Sequence, residues 1–271
     1  MAEISKPTCH LRSISLPSKT HPLATSVEER LAKVKASESV CHKLGGLKDL
    51  YETVDDLFQL PHIQQALSRD KSVDEMLDGS LRLLDVCNAA RDVFLQMKET
   101  IQELESSLRR KRTSESTLEN EVKSYVTSRK RLNKVLISKC FTNLKRTEKK
   151  SDLIVPPIIC MLKEVEDVSF TVVQSLLSSF CQPDKRFTKW NVVSKLFQSR
   201  RVSCKGNNEL DKMDADLVSL IGKKISLEEL QIVMKGLENF ECSIQEIEEE
   251  LECVYRLLLK CRVSLLNMLN H

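Results

Sequence analysis

The feature that most constrains this fold is a row of ten apolar residues that alternates steps of three and four: Leu237, Phe240, Ile244, Ile247, Leu251, Val254, Leu258, Cys261, Leu265 and Met268. This spacing places all ten along one stripe of an α-helix, as in left-handed helix packing. A helix over residues 227–268 would be about 60 Å long, whereas a compact domain of this size is about 50 Å across. The pattern therefore predicts an elongated bundle, and it serves equally for packing within the chain or for a homodimer through residues 237–268.

The composition extends the helical prediction to the whole chain. Among 271 residues there are only 6 Gly and 7 Pro, and aromatic residues make up 4%. Turn-forming and strand-forming residues are too few for a sheet protein of this length. We therefore expect an all-α fold: an elongated antiparallel helical bundle with long coiled-coil-like helices and a disordered N-terminal tail.

The apolar spacing also predicts where individual helices begin and end in the first part of the chain. The region from Val27 to Phe58 forms one helix, or two with a joint near Ser37, and Thr25 or Ser26 serves as its N-cap. A short helix over residues 62–69 follows Pro61.

Longer helices are predicted beyond this point. Ser72 and Glu75 have the spacing of a capping box and open a long helix that ends in a basic cluster at residues 109–112. Further helices extend from about 116 to 146 and from 157 to about 180. The apolar spacing of the second places these residues on its inner side: Ile158, Met161, Leu162, Val165, Val168, Val172, Leu176 and Phe180. We divide the chain into a flexible tail, 1–25, and a single helical-bundle domain, 26–271, with a weak internal linker near 205–211.

Charge is unevenly distributed, although the net charge is only +3. Residues 105–150 contain 14 Lys or Arg against 5 acids, whereas residues 238–252 contain 7 Glu and no basic residue. The plain interpretation is two solvated helix faces. We also expect the two regions to lie side by side in an antiparallel pair, in which the charges set the register.

The basic region is also a candidate anion-binding patch. Its members are Arg109, Arg110, Lys111, Arg112, Arg129, Lys130 and Arg131. An anionic membrane surface is a partner that such a patch would fit. Nucleic acid is not favoured, because only Tyr125 and Phe141 are nearby as stacking rings.

Motifs for catalysis, cofactors and metals are absent from the sequence. There is no GxGxxG or GxxxxGK[ST] loop, no HExxH and no GxSxG, so we predict no enzyme and no cofactor. The ten cysteines include no CxxC pair, which favours reduced thiols and no metal site.

No apolar run reaches membrane-spanning length and no secretory signal is visible. We expect a cytoplasmic protein, with the nucleus, a plastid or the membrane periphery as alternatives.

The tail contains one sequence motif with a regular arrangement of basic, hydroxyl and proline residues, RSISLP at residues 12–17. Arg12, Ser13, Ser15 and Pro17 match the RSxSxP pattern, which resembles the phosphopeptide motif bound by 14-3-3 proteins. Phosphorylated Ser15 would offer nearly two negative charges to an arginine cluster. The alternative is a chance match in a polar tail.

Four blocks of the sequence are similar to the signature blocks of the plant BPS-like (BYPASS-like) proteins. They are LRSISLPSKTHPL at 11–23, LKDLYETVDDLFQLPHIQQAL at 47–67, DGSLRLLDVCNAARDVFLQMKETIQELESSLRRKR at 78–112 and RVSLLNMLNH at 262–271. The resemblance implies a plant-specific family of unknown molecular function without an assigned catalytic activity. It also implies a link to root and shoot development through a mobile root-derived signal. It provides no binding residues to carry over. The RSxSLPSxxHPL block that recurs in the family supports the motif at 12–17, but it is equally compatible with a targeting element or with a strand that docks on the bundle.

Overall fold

The computed structural model describes residues 21–68, 70, 72–111, 118–140, 156–180, 217 and 226–270. These residues form seven α-helices, of 7 to 43 residues, and no strand, which confirms the predicted all-α class. The helices are α1 (Pro22–Ala36), α2 (Val40–Phe58), α3 (Pro61–Leu67), α4 (Ser72–Lys111), α5 (Leu118–Cys140), α6 (Pro157–Phe180) and α7 (Leu227–Leu269). The tail motif at 12–17, Arg112 and the predicted linker at 205–211 lie outside the described residues.

The first helix begins earlier than its apolar spacing predicts. Pro22 occupies the first turn, where a missing N–H costs nothing and the fixed φ suits a helix. The Nδ1 atom of His21 accepts a hydrogen bond from the backbone N–H of Leu23 at 3.2 Å. His21 is thus the N-cap, and the prediction of Thr25 or Ser26 was wrong. The helix therefore starts inside the segment that the sequence assigned to the tail.

Two other predicted helix ends can be compared with the structure. The joint near Ser37 is confirmed, because Ser37 is extended and Ser39 caps α2. Ser72 is the first residue of α4, and its backbone N–H donates to a carboxylate oxygen of Asp70 at 2.8 Å. A capping box does occur at Ser226, the N-cap of α7.

The centre of the bundle is α7, which packs against α2 and α4. All ten residues of the predicted stripe are buried within this one chain. A homodimer through 237–268 would need these same side chains. α7 is antiparallel to α4, since Arg91 pairs with Glu252 and Arg109 with Glu238. It is parallel to α2, because its contacts advance in the same direction along both helices.

The remaining helices cover this core. α1 packs on α2, α5 packs on α4, and α6 contacts α1, α2 and α4. Where α4, α6 and α7 meet, the ring of Phe180 lies 5.0 Å from that of Phe94, edge to face, and 6.2 Å from that of Phe240. Such a contact between aromatic rings stabilises the pair beyond the area it buries.

The inner face of α6 differs slightly from the predicted one. Ile159 and Ser169 are buried where Ile158 and Val168 were expected, and the latter two are only partly buried. Ser169 is accommodated because its hydroxyl shares a 2.8 Å hydrogen bond with the hydroxyl of Tyr51 on α2. A buried polar pair of this kind is invisible to an analysis of apolar spacing.

Candidate functional site

The acidic stretch of α7 lies along α4 in a ladder of polar contacts. Arg91 pairs with Glu252 at 2.6 Å and Lys98 with Glu248 at 3.8 Å. Farther along the same interface the side-chain amide of Gln102 donates to Glu241 at 2.5 Å, and Arg109 pairs with Glu238 at 3.2 Å. The acidic residues therefore face positions 91–109 of α4. The predicted pairing with 105–150 holds only at its first turn among the described residues, because α5 packs on α4 and α6 instead.

Glu105 is the buried member of this ladder. One of its carboxylate oxygens pairs with Arg109 at 3.2 Å, and the other is buried without a hydrogen bond. Burial raises the pKa of Glu105, the charge of Arg109 opposes that rise, and Glu241 and Glu238 add to it. Because the raised pKa reflects a disfavoured charge, Glu105 is a point of electrostatic strain in the interface.

The candidate anion-binding patch includes one residue that does not face solvent. Arg129 is only 5% exposed. Its Nη2 donates to the carbonyl of Phe180 at 3.2 Å, and its Nη1 contacts the sulfur of Met97 at 3.6 Å. A cation is favourable at this point because the carbonyls at the end of α6 carry partial negative charge. Arg129 thus holds α5 to α4 and α6 and is not part of the surface patch.

The exposed members of the patch fall into two separate groups. Arg110 is exposed near the end of α4, whereas Lys130 and Arg131 are exposed in the middle of α5. Contact between Arg129 and Met97 places the second group about 20 Å along α4 from Arg110, at 1.5 Å per residue. Arg109 is engaged by Glu105 and Glu238. The described basic residues therefore do not form one compact anion site.

A groove of about 340 Å³ opens at one end of the bundle, between α3 and the end of α7. We call it the α3 groove. It is lined by Phe58, Gln59, Pro61, Gln64, Gln65, Ser68, Ser264, Asn267 and Met268. Each of these side chains is uncharged. Four primary amides and two hydroxyls surround the three apolar side chains, so the groove can hydrogen-bond neutral groups such as peptide N–H and C=O.

Charged residues flank the α3 groove without lining it. The carboxylate of Asp55 accepts from the hydroxyl of Ser264 at 3.3 Å and pairs with Lys260 at 2.8 Å. The bond with Asp55 raises the pKa of Lys260. On α3, Gln64 donates to the carbonyl of Phe58 at 2.9 Å, which fixes one wall of the groove.

The chain enters the bundle beside this groove. The imidazole ring of His21, the N-cap of α1, lies 5.4 Å from the ring of His62 on α3. His62 stands between Pro61 and Gln64, both of which line the groove. His21 therefore lies within one helical turn of the groove.

The interior near the groove contains a second polar cluster. Cys261 donates its thiol to the carbonyl of Tyr51 at 3.6 Å, and burial raises the pKa of that thiol to about 12. Burial also raises the pKa of the Tyr51 phenol. Neither group can act as a nucleophile or base near neutral pH. Within the described ranges, no cluster of three or more His, Cys, Asp or Glu side chains has the arrangement of a metal site.

Sequence reasoning missed both the role of Arg129 and the α3 groove. Arg129 continues the buried row of Val122, Tyr125 and Leu132 at steps of three and four, and this signal was available in the sequence. The groove was not predictable in this way, because its two walls are about 200 residues apart in the chain.

None of the helices in the described part of the chain is long and apolar enough to span a bilayer.

Comparison with known proteins identifies a family. A family model described as Protein BPS1 matches residues 43–268, which include α3, α4, α5 and α6 and nearly all of α2 and α7. No curated protein and no solved structure gives a significant match. The matched range covers the α3 groove and leaves the tail motif at 12–17 outside.

Proposed function

Because the chain belongs to the BPS1 family, we propose that it is a non-enzymatic regulatory protein that acts through protein partners in the cytoplasm. The family resemblance supports a role in root and shoot development and in root-to-shoot signalling. The helical bundle acts as a scaffold in this proposal, and the tail motif is its regulated docking site. The partner is a 14-3-3 protein that recognises Ser15 in its phosphorylated form.

The observation that carries the proposal is the position of the motif relative to the first helix. α1 begins at Pro22 with His21 as its cap, so residues 12–17 precede the helical bundle by four positions. A phosphopeptide must thread into both a kinase and a binding groove, and a segment ahead of the first helix meets this requirement. Arg12 suits a basophilic kinase, and the phosphate on Ser15 suits an arginine cluster in the partner.

The first experiment is a pull-down of 14-3-3 with the purified full-length protein. Three forms are compared: protein phosphorylated at Ser15, unphosphorylated protein and the Ser15→Ala variant treated with the same kinase. We expect binding only to the first form. Ser13→Ala is the matched control, because it removes the neighbouring hydroxyl and leaves the phosphorylated residue. Equal binding by all forms, or by none, would contradict the proposal.

The alternative is a peripheral membrane protein that uses the basic region 109–150 on anionic lipid. The separation of Arg110 from Lys130 and Arg131 weakens this alternative, since a compact cluster binds anionic lipid better than scattered charges. Sedimentation with vesicles of phosphatidylserine and phosphatidylcholine tests it. Binding that falls steeply with salt and is lost in the Lys130→Ala, Arg131→Ala double variant would favour the lipid alternative.

A further inference from the structure

We propose that the α3 groove is the intramolecular binding site for the tail segment Leu11–Pro17, and that phosphorylation of Ser15 expels this segment. The inference rests on the proposed function, in which Ser15 is the regulated residue. It adds a resting state in which the motif is held against the bundle and withheld from partners.

The first argument is reach. His21 contacts His62 on the same short helix that forms one wall of the groove. From His21 back to Leu16 there are five residues, which span up to about 17 Å when extended. α3 has seven residues and is only about 10 Å long. The segment can therefore reach the groove without crossing the bundle.

The second argument is chemical complementarity. The sequence of the segment, LRSISLP, contains three apolar residues, Leu11, Ile14 and Leu16, and each of its residues before Pro17 carries a backbone N–H and C=O that can hydrogen-bond. The apolar side chains of Phe58 and Met268 in the groove can pack against the apolar side chains of the segment. The surrounding amides and hydroxyls can hydrogen-bond its backbone, because Gln and Asn side chains both donate and accept. An extended peptide is thus a better occupant than a charged ligand.

The third argument is charge, and it gives Ser15 its role. No described residue that lines the groove carries a charge, and the neighbouring Lys260 is already paired with Asp55. Asp56, one turn before Gln59, is exposed and adds negative charge at this end of α2. A phosphate dianion entering this site would lose its hydration without gaining a cation from the described residues that line it. Phosphorylated Ser15 is therefore excluded, whereas the unphosphorylated segment fits.

Cysteine crosslinking in the full-length chain tests this docking directly. Leu16→Cys is combined with Gln65→Cys, which lies in the groove, or with Ala66→Cys, which is the next residue and is exposed outside it. The tether to both positions is nearly the same, so their effective concentrations are similar and a difference reports docking. Crosslinked peptides are quantified by mass spectrometry after mild oxidation, which also separates them from products of the native cysteines.

We expect at least about fivefold more crosslink between positions 16 and 65 than between 16 and 66, a ratio set by docking over a shared tether. Phosphorylation of Ser15 should lower the 16–65 yield to that of 16–66. Equal yields at 65 and 66 without phosphate would overturn the docking, and an unchanged 16–65 yield after phosphorylation would overturn the release. A 16–65 crosslinked peptide recovered only from the dimer band of a non-reducing gel, and not from the monomer band, would also overturn the intramolecular site.

The crosslinking uses no partner protein, so its outcome is separate from that of the pull-down. If 14-3-3 fails to bind and the phosphate-sensitive crosslink persists, only the choice of partner is wrong. If binding is phosphate-dependent and the crosslink is absent, only the docked resting state is wrong.

Discussion

Gly46 of α2 lies directly beneath Val34 of α1, and this contact allows a quantitative test of how the two helices pack. A Cβ atom built on Gly46 would lie 2.9 Å from Cγ2 of Val34, closer than side chains tolerate. Val34 is only 2% exposed, and a β-branched residue in a helix has one strongly preferred rotamer. It cannot turn aside, so Gly46→Ala must push α1 and α2 apart.

The neighbouring Gly45 provides a matched control. Its added Cβ would meet only Oε1 of Glu250, at an ordinary 4.0 Å. Alanine in a helix interior is favoured over glycine by about 1 kcal/mol, so Gly45→Ala should stabilise the protein by roughly that amount. Gly46→Ala gains the same propensity, but the overpacking costs about 1 to 3 kcal/mol. We therefore expect Gly46→Ala to be the less stable of the two by about 1 to 3 kcal/mol.

Urea unfolding followed by circular dichroism measures this difference, provided that the slope with urea is unchanged between variants. A double-mutant cycle makes it specific. In a Val34→Ala background the clash is absent, and Gly46→Ala should become stabilising. The packing argument would be refuted if Gly46→Ala were as stable as Gly45→Ala, or if its effect were independent of Val34.

Three further predictions follow from buried groups. Arg129→Lys should lower the free energy of unfolding by about 1 to 3 kcal/mol, because the hydrogen bond to the carbonyl at the end of α6 is lost or misplaced. Lys130→Ala, at an exposed position, should change the free energy of unfolding by less than about 0.5 kcal/mol. Equal effects of the two variants in urea unfolding would contradict the burial of Arg129. Burial raises the pKa of Glu105, so the folded chain loses stability as pH rises from the unfolded pKa through the raised folded pKa. Relative to the unmodified chain, Glu105→Gln should therefore raise the free energy of unfolding more at about pH 7 than at about pH 4. A gain that is independent of pH would argue against a raised pKa. In native protein Cys253 is exposed and should be alkylated rapidly by iodoacetamide, whereas the thiol of Cys261, with a pKa of about 12, should react only after denaturation. Peptide mass spectrometry measures the alkylation of each cysteine separately. Comparable rates would mean that the face of α7 that carries Cys261 is open to solvent.

The predictability of each element depended on whether its signal lay within one helix. The stripe on α7 was read correctly because ten apolar residues repeat along a single element, and their burial follows from that repeat alone. The start of α1 was misplaced because Pro22 and a capping histidine outweigh the first apolar residue, Val27. On α6, Ser169 replaces Val168 on the inner face because of a partner on another helix, Tyr51.

Contacts between distant segments explain the remaining differences. Charge correctly brought the acidic stretch of α7 to a basic partner, but attraction at this strength does not choose between α4 and α5. Packing decided the choice, since α5 is held on α4 and α6 by Arg129. The α3 groove could not be predicted for a similar reason: Gln64 and Asn267 become neighbours only after α7 has been placed.

The central position of α7 has a consequence for the synthesis of the protein. Ribosomes add about 5 to 20 residues per second, so roughly 8 to 30 s separate the end of α4 at Lys111 from the end of α7 at Leu269. During this interval the faces of α2 and α4 that α7 will cover remain without their partner. A nascent chain with exposed apolar helix faces is a substrate for chaperones. A message that ends before α7 should therefore yield a product that aggregates or is degraded, and not a smaller version of the same bundle.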